Sequence, residues 1–345
     1  MRIACGVIGI LLLLLVLTDI AWTTFLEGGG PLTRRVCGYT GRVALALRWR
    51  CGSRRVLTLT GLAAVVLLTG LWVAGIWAAW GLIFNATSQS IINSNTGLPA
   101  SIFHRFYFAG GAIFTLGAGG YQPVGRLWEI AADFAAGSGF LFFGLAIGFI
   151  VPLVSAATQK RQLSLCIWSL GRTPAEIIER SWNGADTSAL SPHLVSLIPM
   201  LAGLGENHLT HPVLHFFYAT KRSSSVATNV ATLDEALTIL ECGLQQGCSL
   251  DLPSLGAART AITVFLETLK PALILPAKDV PPIPTLQALR DTGVAAVADD
   301  IFATSMQALQ QRRQLLLAMV RGEGWTWDVV WPENPNSVPI DQGAA

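Results

Sequence analysis

Residues 107–123 read YFAGGAIFTLGAGGYQP, an apolar and uncharged stretch whose second half carries too many glycines to remain an α-helix. This stretch lies between two long hydrophobic segments, Val56–Phe84 and Leu127–Val154. At membrane depth, non-helical backbone persists only where protein buries it or where it lines a water-filled path, because lipid offers no hydrogen-bond partners. The pattern therefore predicts a short helix that enters the bilayer partway, followed by a glycine-rich strand that returns.

The composition favours a membrane protein over a soluble one. Charged residues make up 13% of the 345 residues, whereas soluble proteins average about 25%. A formal net charge of +2 favours neither nucleic acid nor an acidic partner, and the length is compatible with two domains. The lipid bilayer is therefore the first expected partner of this chain, and nucleic acid is not expected to be one.

The N-terminal segment Ile3–Ile20 is almost wholly apolar. It could be a cleaved signal peptide, but no clean small-x-small cleavage site follows it. Residues 27–55 carry seven arginines and one acidic residue, Glu27, and such a basic excess marks the cytoplasmic side. We therefore expect a retained first span with its N-terminus outside, followed by a basic cytoplasmic loop that contains a short interfacial helix at Val43–Trp49.

The sequence TLGAGG at Thr115–Gly120 resembles the potassium-channel filter pattern TVGYGD, with three of six positions matching. Tyr107 and Phe108 fall where many such channels carry an aromatic pair on the pore helix. The region Val56–Val154 is thereby similar to a prokaryotic one-pore member of the potassium-channel superfamily.

That resemblance implies a homotetramer that conducts monovalent cations, above all potassium. One pore loop per chain cannot enclose a path, so closed symmetry requires several copies, and the family uses four. Backbone carbonyls around the shared axis would replace the hydration shell of the ion. The expected filter residues are Thr115, Leu116, Gly117, Ala118 and Gly119.

Two positions depart from the family pattern. Ala118 stands where the family has an aromatic ring that braces the filter, and Gly120 stands where it has aspartate. These departures bear on selectivity for potassium over sodium, because selectivity depends on how the carbonyls are held. They also leave open a second hypothesis, a non-conducting scaffold or sensor that retains the pore fold.

The third apolar segment adds further candidates. Gly137 and Gly139 match a gating hinge on the pore-lining helix of the family, although small residues also allow membrane helices to pack closely. Glu129 and Asp133, near the external start of this segment, are the expected outer vestibule, since ionisable residues in spans are functional candidates. Glu129 would attract cations. Asp133 would support the filter in place of the aspartate that the family has at the position of Gly120.

After Thr158 the composition changes, and the pattern predicts a helical cytosolic domain. A capping box with proline at the first helical position occurs at Thr173–Glu176. A proline-rich linker occupies residues 271–284, and no strand–helix–strand nucleotide-binding unit is present. The predicted helices cover residues 191–204, 211–221, 225–245, 254–270, 284–298 and 299–320.

His208, His211 and His215, with Glu206 just before them, are the only clustered residues of metal-ligand type in this region. Their spacing of three and four would place them on one helix face, but Pro212 interrupts that helix. Buried or capping histidines are therefore expected, with a metal or proton sensor as the alternative. No catalytic constellation, cofactor motif or cysteine pattern for zinc or disulfides stands out, so an enzyme is not predicted.

Taken together, the expected fold is an all-α membrane protein with three transmembrane helices, a re-entrant pore helix and filter loop, and an all-α cytosolic domain. The expected location is a bacterial inner membrane, with the C-terminal domain in the cytoplasm. The predicted regions are a first span (1–26), a basic loop (27–55), a pore domain (56–157) and a helical cytosolic domain (158–345).

Overall fold

A computed structural model shows a mostly helical chain that divides into two compact units. Unit 1 comprises Met1–Thr40 and Ala63–Leu153, and unit 2 comprises Gly41–Leu62 and Val154–Ala345. The structure describes residues 2–26, 28–51, 55–117, 119–245, 252–269 and 275–332.

Unit 1 is built mainly on long apolar helices with few charged residues. Its helix–helix core is aromatic: Trp72 is buried and meets Phe149 edge-on, with ring centroids 5.7 Å apart. Two three-residue strands pair in antiparallel fashion beside the helices. The elements that begin in or enter this unit are α1 (Arg2–Phe25), α2 (Pro31–Cys51), α3 (Arg55–Phe84), β1 (Ile91–Asn93), α4 (Ile102–Ile113), β2 (Tyr121–Pro123) and α5 (Arg126–Leu170).

Helix α2 differs from expectation. The predicted loop of residues 27–55 is helical over most of its length, and the short helix expected at Val43–Trp49 is the second half of α2. Pro31 opens α2, at a position where its missing N–H costs nothing. Asp19 on α1 accepts the Leu32 N–H at 2.8 Å, which caps the start of α2. A cap supplied by another helix cannot be read from local sequence.

Helix α5 runs without a break for 45 residues, through Gly137, Gly139 and Pro152. At about 1.5 Å per residue it is far longer than a hydrocarbon core of about 30 Å. The apolar segment Leu127–Val154 accounts for roughly that thickness and more, so the C-terminal part of the same helix continues beyond it. Residues of α5 up to Leu153 belong to unit 1, and those from Val154 belong to unit 2.

Unit 2 is a helical domain in which α7 packs along α9, and α8 packs against α6, α9 and α12. Its local start signals behave as predicted at α6, where the Thr173 side chain accepts the Glu176 N–H at 3.1 Å and Pro174 is the first helical residue. Its helices are α6 (Pro174–Ser181), α7 (Ser191–Thr210), α8 (Val226–Thr238), α9 (Leu252–Glu267), α10 (Gln287–Asp291), α11 (Asp299–Ala308) and α12 (Gln310–Gly322).

Two helices predicted in this region are much shorter in the structure. Residues 211–221 contain only the 3₁₀ turn Pro212–Phe216, because the chain breaks at Pro212 after α7. Residues 284–298 contain only α10, which ends near Gly293 at φ 83°. The predicted proline linker, residues 271–284, is non-helical where the structure describes it, from residue 275 to residue 284.

Helix α8 is the centre of unit 2, with all 13 of its residues buried. Two adjacent carboxylates on it are held by arginines. Asp234 accepts hydrogen bonds from Arg259 and Arg312, and Glu235 accepts from Arg313 at 2.8 and 3.1 Å. The Arg313 guanidinium also donates to two carbonyls of the linker, those of Pro281 and Pro282. These arginines compensate the cost of burying the Asp234 and Glu235 carboxylates, and Arg313 also holds the linker against the helical core.

Four described helices are long and apolar enough to cross a membrane, judged by length and composition. Three of them coincide with the predicted spans. The fourth, Ser188–Thr210, lies in the segment predicted to be cytosolic and has a mean hydropathy of only 1.3, against 2.1 or more for the others.

We expect Glu235→Gln to lower the free energy of unfolding by about 3–5 kcal/mol, because it leaves the buried Arg313 without its counter-charge. Asp279→Asn is the matched control, since its ion pair with Arg321 is exposed and such pairs contribute less than about 1 kcal/mol. Denaturant unfolding of the purified chain, followed by tryptophan fluorescence, measures both. Equal effects of the two substitutions would contradict the central role of α8.

Candidate functional site

The candidate pore loop begins where α4 ends. The Ser101 side chain accepts the His104 N–H at 3.3 Å and so starts this helix. At the other end, the N–H groups of Phe114, Thr115 and Leu116 fold back onto the carbonyls of Gly110, Ala112 and Gly111, at 2.9–3.1 Å. The last turn of the helix is therefore satisfied internally, and the chain leaves it as a tight, non-helical loop.

Left-handed residues recur along the backbone of the loop. Thr115 has φ 55°, Leu116 is not left-handed, and Gly117 has φ 80°. Gly119 and Gly120 are both left-handed, at φ 47° and φ 87°, while Ala118 lies outside the described residues. Glycine adopts such backbone without steric cost. For the β-branched Thr115 the same conformation is a genuine outlier that the surrounding structure must enforce.

The two aromatic residues predicted to support the loop have different contacts. A Cβ on Gly119 would lie 2.9 Å from the Tyr107 hydroxyl oxygen, so Tyr107 lies directly against the loop. The ring of Tyr107 also meets Tyr121 edge-on at 6.2 Å, and His104 stacks on Tyr121 at 4.8 Å. Phe108 instead is buried and packs edge-on against Phe84 at 5.2 Å. Tyr107 therefore supports the loop directly, and Phe108 anchors α4 in the core.

The return arm of the loop is held by a small sheet that sequence reasoning did not anticipate. Strand β2 pairs with β1 in the register Asn93↔Tyr121, and the Ser94 N–H donates to the Gly120 carbonyl at 2.8 Å. The loop is therefore held at both ends by hydrogen-bonded backbone.

Arg105 was also missed. Its guanidinium is buried and donates to the Asn85 side chain at 3.0 Å and to the Ser88 carbonyl at 2.8 Å. These bonds join α4 to the segment that follows α3. An arginine within a largely apolar helix is a signal that could have identified it.

The predicted vestibule residues Glu129 and Asp133 are both exposed on the first two turns of α5. Within the described part of the chain, neither carboxylate forms an ion pair or hydrogen bond, so the Asp133 side chain makes no bond to the loop. An exposed carboxylate on an apolar helix requires water or a neighbouring chain on that side, because lipid would penalise it.

The two predicted hinge glycines differ in their surroundings. A Cβ on Gly139 would lie 2.0 Å from the Ile113 carbonyl oxygen, so α5 crosses the end of α4 in backbone contact at this residue. A Cβ on Gly137 would meet no atom within 4 Å. Next to this crossing, the Trp80 indole donates to the Ser138 hydroxyl at 3.0 Å. Close packing therefore accounts for the small residue at 139, and the hinge role of either glycine stays a prediction.

Gly139→Ala should destabilise the protein by roughly 1–3 kcal/mol, because the added methyl group pushes α5 away from the end of α4. Gly137→Ala should be neutral or stabilising by up to about 1 kcal/mol, since alanine favours a helix and the space is open. Denaturant unfolding of the two variants in the same detergent makes the comparison. The opposite ranking would refute the crossing.

A second polar centre of unit 1 surrounds Asp19 on α1. Asp19 is buried and accepts hydrogen bonds from the Thr33 hydroxyl and the Trp72 indole, both at 2.9 Å. The Thr23 and Thr33 hydroxyls are 2.7 Å apart beside it. Asp19 therefore joins α1, α2 and α3 through one carboxylate.

The histidine cluster lies in unit 2. The rings of His208 and His215 are 4.4 Å apart, and His208 Nδ1 lies 2.8 Å from the Leu204 carbonyl oxygen. Burial, with the nearby Lys160 charge, lowers the pKa of His215 to about 3. Among the described residues, no group of three or more metal-type side chains comes together. The geometry is that of a packed pair of histidines in a core.

Stability should therefore fall in mild acid. Below its ordinary pKa of 6.5, His215 takes up a proton in the unfolded chain, but in the folded protein it stays neutral down to about pH 3. The loss of stability should be up to about 1.4 kcal/mol per pH unit within that window. Denaturant unfolding at pH 7.5 and pH 5 tests this, and His215→Gln should reduce the difference. His193→Gln, at an exposed position, should leave it unchanged, and equal behaviour of the two variants would contradict the assignment.

The long apolar helices define the class of this chain: it is a mostly helical, multi-pass membrane protein. A protein of Bacillus subtilis (strain 168) with the name "Uncharacterized membrane protein YdjJ" is 32% identical to it over 324 residues, which cover 93% of this chain and 94% of that protein. The chain belongs to the family of that protein. No protein-family model matches the chain, and no solved structure matches it.

Proposed function

We propose that four copies of this chain form a channel that conducts monovalent cations, potassium above all, passively along the backbone carbonyls of its pore loop. The site comprises Thr115, Leu116, Gly117 and Gly119, together with Ala118. The expected membrane is a bacterial inner membrane, with unit 2 in the cytoplasm.

The observation that carries this proposal is the left-handed backbone of Thr115. A β-branched residue adopts φ 55° at a cost of order 1–3 kcal/mol. The Schellman-type hydrogen bonds that close α4, from the Thr115 and Leu116 N–H groups, hold this conformation. Left-handed backbone recurs at Gly117, and this recurrence supports our proposal that carbonyls of the loop face a common axis. Carbonyls so arranged can replace the water around a cation.

The surroundings of the loop support an assembly of several chains. Leu116 is 80% exposed in one chain, although the loop lies in an apolar segment between long membrane helices. A single loop cannot enclose a path, whereas closed rotational symmetry converts four loops into one. The C-terminal end of α4 adjoins the loop, and its partial negative charge favours a cation there.

Selectivity would depend on side-chain support for the loop that differs from the support found in the potassium-channel superfamily. Ala118 has no ring, but the Tyr107 hydroxyl lies against Gly119 and its ring contacts Tyr121. The β1–β2 ladder holds the next residues. We infer that these contacts take over the role of the missing aromatic residue. The exposed carboxylates of Glu129 and Asp133 would raise the local concentration of cations at the entrance.

The decisive test is cation flux into liposomes that contain the purified protein, with potassium or sodium as the permeant ion and barium as blocker. Gly117→Ala should reduce potassium flux by at least about tenfold, because alanine strongly disfavours φ 80° although no atom blocks its methyl group. The assembled tetramer should remain intact in detergent.

Gly144→Ala is the matched control. It adds the same methyl group, also with no atom within 4 Å in one chain, but at a helical position. Its flux should equal that of the wild type. Flux that is unchanged in Gly117→Ala, or absent in the wild type, would refute conduction through this loop.

A second candidate function is a non-conducting scaffold or sensor built on the same fold. The departures at Ala118 and Gly120 favour it, because both remove family features of the filter. The two functions differ in ion binding. Stabilisation of the purified tetramer against heat by potassium supports the channel, whereas a monomer without such stabilisation supports the scaffold.

A further inference from the structure

A cavity of about 480 Å³ opens in unit 2, beside the point where α5 leaves its apolar segment. One wall is the C-terminal part of α5, and the other is the segment between the 3₁₀ turns Pro212–Phe216 and Arg222–Ser224. Its volume is in the range of sites that bind small ligands or headgroups. The lining residues are Val154, Ala157, Lys160, Arg161, Phe217, Tyr218, Ala219, Thr220, Lys221 and Ser224.

The charge of this lining is one-sided. It contains three cationic side chains, Lys160, Arg161 and Lys221, and no carboxylate. Arg161 and Lys221 are exposed, and they come from opposite walls. Among the described residues, the Arg161 side chain forms no hydrogen bond or ion pair. Two cations that approach one cavity from two walls favour an anion between them.

Lys160 has a different role. Its side chain is buried and forms an ion pair with Glu323 at 3.0 Å, and its ammonium group donates to the Phe217 carbonyl at 3.2 Å. Glu323 also accepts a hydrogen bond from the Ser225 hydroxyl at 2.6 Å. These bonds hold the loop wall against α5, so the cavity is built in advance rather than formed by its ligand.

The remaining lining suits a phosphate group. The side chains of Tyr218, Thr220 and Ser224 carry hydroxyl groups, which can donate hydrogen bonds to phosphate oxygens, and arginine is well matched to phosphate. Val154 and Ala157 add an apolar strip on the side that continues into the membrane-spanning part of α5. A basic cavity next to the end of a span is where anionic headgroups meet a membrane protein.

We propose that this cavity binds a phosphate group, carried either by the headgroup of an anionic lipid or by a soluble phosphate. Arg161 and Lys221 neutralise the charge of the phosphate from the two walls. The Lys160–Glu323 pair keeps the walls in position. Since unit 2 alone carries these residues, the site is independent of conduction through the pore loop.

The test compares three versions of the full-length protein in neutral detergent: wild type, Arg161→Gln with Lys221→Gln, and a control that carries Arg126→Gln with Lys278→Gln. The control also removes one arginine of α5 and one exposed lysine, but away from the cavity. All four substituted residues are exposed, so the variants should fold. Neither variant changes Lys160 or Glu323, so the ion pair between them remains.

Two arms identify the source of the phosphate. In the first, dioleoylphosphatidic acid is titrated in mixed micelles against dioleoylphosphatidylcholine, and native mass spectrometry counts the bound lipids. In the second, inorganic phosphate is titrated at constant ionic strength, and the thermal unfolding midpoint is followed. The cavity variant should bind about tenfold more weakly than wild type, and the control should stay within about twofold.

If the cavity variant loses binding of phosphatidic acid only, the site takes a lipid headgroup. If it loses binding of inorganic phosphate, alone or together with phosphatidic acid, the site takes a phosphate group that soluble ligands can also supply. Either result supports the proposal. Saturable binding that is equal in wild type and cavity variant, or no saturable binding in either arm, overturns it.

Discussion

The backbone hydrogen bonds at the two ends of the glycine-rich loop are the constraint on which the rest of unit 1 depends. A glycine-rich segment between apolar helices cannot leave its N–H and C=O groups to lipid. The structure meets this requirement at both ends of the loop: α4 closes on its own carbonyls up to Leu116, and the chain beyond Gly120 pairs with β1. The loop between these supports is left free to adopt left-handed backbone.

Buried charge organises both units in the same way. In unit 1 the Asp19 carboxylate accepts bonds from α2 and α3, at the N-terminal end of α2 where the helix dipole favours an anion. In unit 2 the paired arginines meet Asp234 and Glu235 on a helix with no exposed residue. A buried charge is costly unless it is paired and fully hydrogen-bonded. Each of these groups therefore specifies one arrangement of the helices around it.

Much of the fold was predictable because its signals are local. Long uncharged runs predict helices such as α3 whatever the rest of the chain does, and the capping box at Thr173 acts within a single helical turn. Other elements had no local signal. The cap at the start of α2 comes from α1, and the 3₁₀ turn Pro212–Phe216 replaces a predicted helix because Pro212 interrupts the helical hydrogen bonding after α7. At the candidate site, residue types predicted the loop, but Arg105 and the β1–β2 pair were missed because their partners are distant in sequence.

The sequence by itself determined that this chain is a helical membrane protein with a glycine-rich, non-helical loop between apolar helices, because hydrophobicity and glycine content are properties of the residues alone. Only the tertiary structure decided which contacts hold that loop. It brought the Tyr107 hydroxyl against Gly119, the Ile113 carbonyl against Gly139, and Asp19 into the interior. These are distances between residues whose proximity arises from helix packing, and no periodicity along the chain encodes them.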